Sequence, residues 1–155
     1  MLPDQTEELS LADATTHLLE ECRMVLPGVQ ALFGFQLIAV FSSGFAERLT
    51  LTEQRLHLLA LALVAVAGAL VMTPAAYHRQ RHPRQASARF LLIGSRLLLW
   101  AMMPLIAGIG LDFYLIARLI LGVRSVSASL ASLLMLLFAA LWFGLPRIAE
   151  PRARS

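Results

Sequence analysis

Four blocks of the chain, 24–41, 56–73, 90–111 and 126–145, are almost free of charged residues. An α-helix rises about 1.5 Å per residue, so ~20 residues cross the ~30 Å of hydrocarbon in a bilayer. Backbone polar groups in lipid must be satisfied internally, which leaves helices or closed barrels. These blocks are continuously apolar rather than alternating, so they read as helices. Composition agrees: 58% of residues are apolar and 15% charged, against about 45–50% and about 25% in soluble domains. The sequence therefore predicts an all-α, polytopic membrane four-helix bundle.

The organisation that follows has three parts. Residues 1–23 are a cytoplasmic tail and a short cytoplasmic N-terminal helix, residues 24–145 the bundle, and residues 146–155 a basic cytoplasmic tail. Ser10 and Asp13 have capping-box spacing, so a helix is expected to start near Leu11. Pro27 is a candidate kink in the first span. Thr50 and Glu53 repeat the capping-box spacing, with Thr52 as a rival cap, inside a loop expected over 42–52. The helix of the second span either stops near Pro74 or continues to His82, before Pro83. Residues 112–125 either extend the third helix, lie on the membrane surface, or begin the fourth.

All thirteen basic residues are arginines, and they set the expected orientation. With the N-terminus inside, Arg23, Arg79, Arg81, Arg84, Arg89, Arg147, Arg152 and Arg154 are cytoplasmic, eight against the four outside, Arg48, Arg55, Arg118 and Arg124. The positive-inside rule favours both termini in the cytoplasm. Tyr77 and Trp142 then fall near the inner interface and Tyr114 near the outer one. The arginines sit in short loops and give no nucleic-acid signal. The first residues are acidic and polar (Asp4, Glu7, Glu8), so the first span is expected to serve as its own insertion signal. Absence of lysine and asparagine suggests a high-GC, bacterial origin, hence an inner-membrane location.

Candidate site residues fall in three groups. Glu20, Arg23, Pro27, Gln30, Gly34, Leu37 and Phe41 recur every three or four residues, on one helical face. With Arg96 inside the third span and Asp112 at its expected end, they form an intramembrane polar stripe. It reads as the wall of an ion or substrate path, or as an interhelical contact with Glu20 and Arg23 paired. Arg96 either snorkels to the headgroups or pairs with Glu20 or Glu21. Gly94, Ala101 and Gly108, and Ser125, Ser129 and Ser132, form small-residue stripes suited to close helix packing. His78, Arg79, Arg81, Arg84 and Arg89 form a basic collar that meets anionic lipid. His78 and His82 are one turn apart but lack a third ligand, so no metal is expected. His17 and His57 read as isolated and interfacial. The single cysteine, Cys22, excludes an intrachain disulfide.

The runs LLEECRMVLPGVQALFGFQLIAVF and FAERLTLTEQRLHLLALALVAVAGALVMTPAAYHRQRHPR resemble a family of small bacterial four-helix integral membrane proteins of unknown function. Some members carry an automated sodium:proton antiporter label. The matching positions are Glu21, Arg23, Gly28, Gln30, Gly34, Phe35, Phe41, Phe45, Arg55, Pro74, His78 and Arg79. Cys22-Arg23-Met24 and Pro27-Gly28 depart from its usual Leu-Arg-Val and Thr-Gly. The resemblance implies the four-helix fold and carries over no catalytic residue.

No nucleotide loop, zinc-protease motif or nucleophile elbow occurs, so neither an enzyme nor a cofactor is expected. Two function classes remain. The better supported is an accessory or scaffold subunit, or a homo-oligomeric structural protein, with itself, a larger membrane complex and lipids as partners. The alternative is a small oligomeric ion or proton-coupled transporter or channel.

Overall fold

A computed structural model describes residues 10–81 and 88–145. Helix α1 covers Leu11–Val40, α2 Gly44–Arg48, α3 Leu51–Arg81, α4 Ala88–Leu121 and α5 Arg124–Ala139, which continues through a π-type turn at Ala140–Gly144. Among the described residues there is no strand. Four stretches, Leu11–Val40, Leu51–Gln80, Ala88–Leu121 and Arg124–Gly144, are long and apolar enough to cross a membrane. By length and composition this is a multi-pass membrane protein.

Helix starts follow local capping chemistry. Ser10 Oγ accepts from the Asp13 N–H at 3.2 Å and opens α1. The helix then runs unbroken through Pro27. The separate short N-terminal helix is therefore not a distinct element; its residues are the first turns of α1. At α3, Thr50 N–H donates to Glu53 Oε2 at 2.9 Å while the Glu53 N–H points back to Thr50 Oγ1 at 3.4 Å. This reciprocal box satisfies two donors that a helix start leaves open, and Thr50, not Thr52, is the cap. Helix α3 carries Pro74 in its interior and continues past it through Arg81, the last described residue before 88.

Of the three courses open to residues 112–125, extension of the third helix is the one taken, as far as Leu121. Residues 113–121 carry no breaker, and α4 continues to Leu121. Gly122 then takes φ 72°, the left-handed turn that commonly ends helices. Its N–H donates to the Arg118 carbonyl at 3.1 Å. Asp112 therefore lies nine residues inside a helix, not at its end. Residues 44–48, read as loop, form the short helix α2.

Helix α3 packs against α1 on one side and α4 on another, and α4 packs against α5. On α3 the residues Ala60, Val64, Ala67 and Val71 form a buried row at helical spacing. Gly108 of α4 lets that row approach closely: a Cβ there would stand 2.8 Å from Val64 Cγ2 and 3.2 Å from the Ala60 carbonyl oxygen. Gly94 faces Leu18 of α1 and Pro74 of α3, and Ala101 is buried with Leu18, Cys22, Val71, Phe90 and Leu98. Helix α5 differs from its sequence reading. Ser125, Ser129 and Ser132 are exposed, and the buried residues are Ser127 and Ala131. Residue 127 is about 200° around the helix from residue 125, so the two serine sets face opposite ways.

Candidate intramembrane polar site

Three helix rows bring polar side chains to one level of the bundle. The buried face of α1 runs Thr15, Leu18, Cys22, Val29 and Gln36. The buried row of α3 continues from Ala60 back to His57 and Glu53. On α4, Asp112 follows Gly94, Leu98, Ala101 and Gly108 at helical spacing. Gln36 is 3% exposed and His57 7%.

Gln36 Nε2 donates to Asp112 Oδ2 at 2.5 Å. His57 Nδ1 stands 3.2 Å from Asp112 Oδ1, within ion-pair distance, although Oδ1 accepts no well-aligned hydrogen bond. His57 Nε2 is 3.0 Å from the backbone carbonyl oxygen of Gln36. Phe45 of α2 sets its ring edge against His57, with centroids 5.3 Å apart.

These contacts assign protons. A backbone carbonyl only accepts, so His57 Nε2 must carry hydrogen. In a neutral imidazole, Nδ1 then presents a lone pair toward Asp112 Oδ1. Two lone pairs at that distance repel in a low-dielectric interior. The arrangement is favourable when one proton resides on either His57 Nδ1 or Asp112, and unfavourable without it. Gln36 Oε1 also accepts nothing. The cluster thus has surplus acceptors and a place for one transferable proton.

One turn nearer the helix ends lies a second polar layer. Arg118 Nε stands 3.6 Å from Glu53 Oε1, and Arg118 Nη1 donates to the Gly122 carbonyl at 2.9 Å. His57 is four residues inside Glu53, or about 6 Å along α3. A cavity of about 570 Å³ reaches the cluster. Gln36, His57 and Asp112 line it together with apolar side chains that include Leu32, Phe35, Phe45, Leu115 and Ile116, and Arg48 is also on its wall.

The sequence profile of a family of unknown function, DUF6328, matches residues 4–146. The chain belongs to the DUF6328 family. Among curated proteins and solved structures, nothing matches it.

In this DUF6328 chain the sequence-derived stripe divides. Asp112 joins the cluster. Glu20, Arg23 and Gln30 are exposed, and Gly34 is partly so; Arg23 borders a groove that α1 shares with Met72, Ala76 and Arg79 of α3. Glu20 lies 3.7 Å from His17, and Arg96 is exposed and pairs with no carboxylate among the described residues. In the basic collar, His78 packs its ring 5.4 Å from Phe90, Arg79 and Arg89 are exposed, and Arg84 and His82 lie outside the described residues. The side chain of Arg81 is likewise outside them. No group of three or more metal-ligating residues occurs among the described residues.

Gln36 and His57 are the site residues that sequence reading passed over; His57 is not isolated but buried against Asp112. A signal existed. Gln36 lies seven residues from Val29, and His57 three residues from Ala60, so each extends a core row of its own helix.

Proposed function

We propose that this chain is a small proton-coupled transport protein, with Gln36, His57 and Asp112 as its proton-binding site. One observation carries the reading: a carboxylate deep in a membrane-length helix, held between a buried imidazole and a buried amide, with acceptors to spare. Ionisable groups at such depth are costly, and proton and ion pathways are where they are retained. When Asp112 is protonated it becomes a donor, and Gln36 can present Oε1 to it by turning its amide. When the proton leaves, the Nε2 contact with the carboxylate re-forms. That exchange gives two arrangements of one hydrogen-bond pair, coupled to occupancy of the cavity.

In this reading the chain acts without catalysis, in the inner membrane of a bacterium, with both termini in the cytoplasm. The cluster then opens toward the outer face, and the collar of His78, Arg79 and Arg89 meets anionic headgroups. Reconstitution into liposomes holding a pH-sensitive dye tests it. Wild-type protein should dissipate an imposed pH gradient faster than protein-free liposomes, and Asp112→Asn should abolish the difference. A wild-type rate equal to that of protein-free liposomes, or an unaffected variant, contradicts it.

A second reading, a self-associating or accessory subunit, has its own support. Gln30 is exposed near the middle of α1, and among the described residues it makes no hydrogen bond. Lipid offers it no partner. Gly28 and Gly34 have open space where a Cβ would be, which admits another backbone. Copies inserted with the same orientation place equal depths together, so Gln30 would meet Gln30, and an amide both donates and accepts. The two readings are compatible, since self-association through α1 leaves the cluster free.

A further inference from the structure

We propose that the cavity beside Asp112 binds a lipophilic ammonium ion, a protonated amine carrying an apolar body, in the place of the transferable proton. This rests on the proton-site reading above and names the substrate class of the same site.

The chemistry of the acceptors selects the headgroup. Behind the cavity wall, Asp112 Oδ1 and Gln36 Oε1 are buried and accept no aligned hydrogen bond. His57 Nδ1 stands 3.2 Å from Oδ1, and Gln36 Nε2 is already committed to Asp112 Oδ2. A ligand reaches these oxygens when the Asp112 and Gln36 side chains turn toward the cavity. A ligand that satisfies this set must bring donors and positive charge. An anion would set its charge against a carboxylate in a poorly solvating interior, and a neutral acceptor would leave the same oxygens unpaired at a cost. An alkylammonium N–H group supplies two or three donors from one centre.

A bare metal cation fits less well. Hard cations such as calcium take six to eight oxygen ligands. Here the side chains of Asp112 and Gln36 offer three, and the Gln36 carbonyl oxygen already faces His57 Nε2. Apart from Ser42, Arg48 and His57, the remaining wall is apolar, which suits a hydrocarbon or aryl body better than a hydrated ion. Phe35 and Phe45 line the same cavity, and aromatic faces attract ammonium groups. The volume, about 570 Å³, lies within the range of small-molecule sites.

The surrounding charges are compatible with this assignment. Glu53 and Arg118 offset one another. Arg48 on the cavity wall is exposed, so water screens its repulsion of a cation. Arg48 therefore opposes an ammonium weakly and should retard its entry, whereas it would attract a carboxylate. The sign of its effect distinguishes the two ligand classes.

The test uses three probes with one body: 4-phenylbutylamine, its N,N,N-trimethyl derivative, and 4-phenylbutyrate. Each is titrated calorimetrically into full-length protein in nanodiscs, with empty nanodiscs as reference. The primary amine should bind at one site per chain. The trimethyl derivative, lacking N–H donors, should bind at least several-fold more weakly. Asp112→Asn should weaken the amine at least tenfold, and Arg48→Gln should leave it unchanged or tighten it. Circular dichroism on the Asp112→Asn protein checks that it folds, and Gln36→Leu, which keeps the carboxylate, should weaken the amine several-fold. Phenylbutyrate binding as tightly as the amine, or amine binding insensitive to both Asp112→Asn and Gln36→Leu, overturns the assignment. Asp112-dependent proton flux without amine binding overturns the ligand class alone. Amine binding without such flux overturns the proton-coupled reading.

Discussion

Gln36 of α1 and Asp112 of α4 are seventy-six positions apart in the chain and share a hydrogen bond of 2.5 Å inside the bundle. Interhelical hydrogen bonds in membrane proteins average about 0.6 kcal/mol. A short bond to a carboxylate belongs at the upper end. A double-mutant cycle with Gln36→Leu and Asp112→Leu, followed by reversible unfolding in mixed micelles, should give a coupling of about 1–2 kcal/mol. Additive single effects would mean that the two side chains do not act as a pair.

Close approach of α4 to α3 at Gly108 sets a second expectation. A methyl group at residue 108 meets Val64 at 2.8 Å and the Ala60 carbonyl at 3.2 Å. Gly108→Ala should destabilise by about 1–3 kcal/mol, the range for overpacking. Gly34 has nothing within 4 Å of the equivalent position. Gly34→Ala should be neutral in the monomer or stabilising by up to about 1 kcal/mol through helix propensity. Thermal unfolding of the two variants side by side reads the contrast.

Thr50 closes the start of α3 through Glu53, which also faces Arg118. Thr50→Ala should cost about 1 kcal/mol of stability, a usual loss for a removed cap, and Thr52→Ala should cost nothing measurable. Equal effects would contradict the assignment of Thr50 as the cap.

Self-association through α1 predicts a specific crosslink. With Cys22→Ala as background, Gln30→Cys should form a disulfide-linked dimer in membranes under mild oxidation. A cysteine at Val29, which is buried against the bundle, should not. Gln30→Leu should shift the native species toward monomer. No crosslink at residue 30 would argue against an α1–α1 contact.

Much of the fold was legible because its cause is local. A block of ~20 apolar residues needs no partner to become a helix in lipid, and the capping residues Ser10 and Thr50 act within one turn. The ends of the third span were harder. A helix in lipid stops at a backbone event rather than at a charge, and Gly122 supplies that event; Asp112 alone does not. The site was less legible for a different reason. Spacing placed Glu20, Arg23 and Gln30 on one face of α1 but could not say whether that face turns inward. Apolar residues occupy every face of these helices, so the usual amphipathic contrast that marks a core side is weak. The inward face is marked instead by residues that pack closely, such as Cys22 and Val29, and Gln36 belongs to that row.

The central claim is that Asp112 gains and loses a proton while inside the bundle. Infrared difference spectra of membrane-reconstituted protein, recorded as pH is lowered, read this directly. The account predicts a protonated-carboxyl C=O band in the wild type that is missing from Asp112→Asn and shifted in Gln36→Leu. Spectra of wild type and Asp112→Asn that coincide throughout the titration would contradict it.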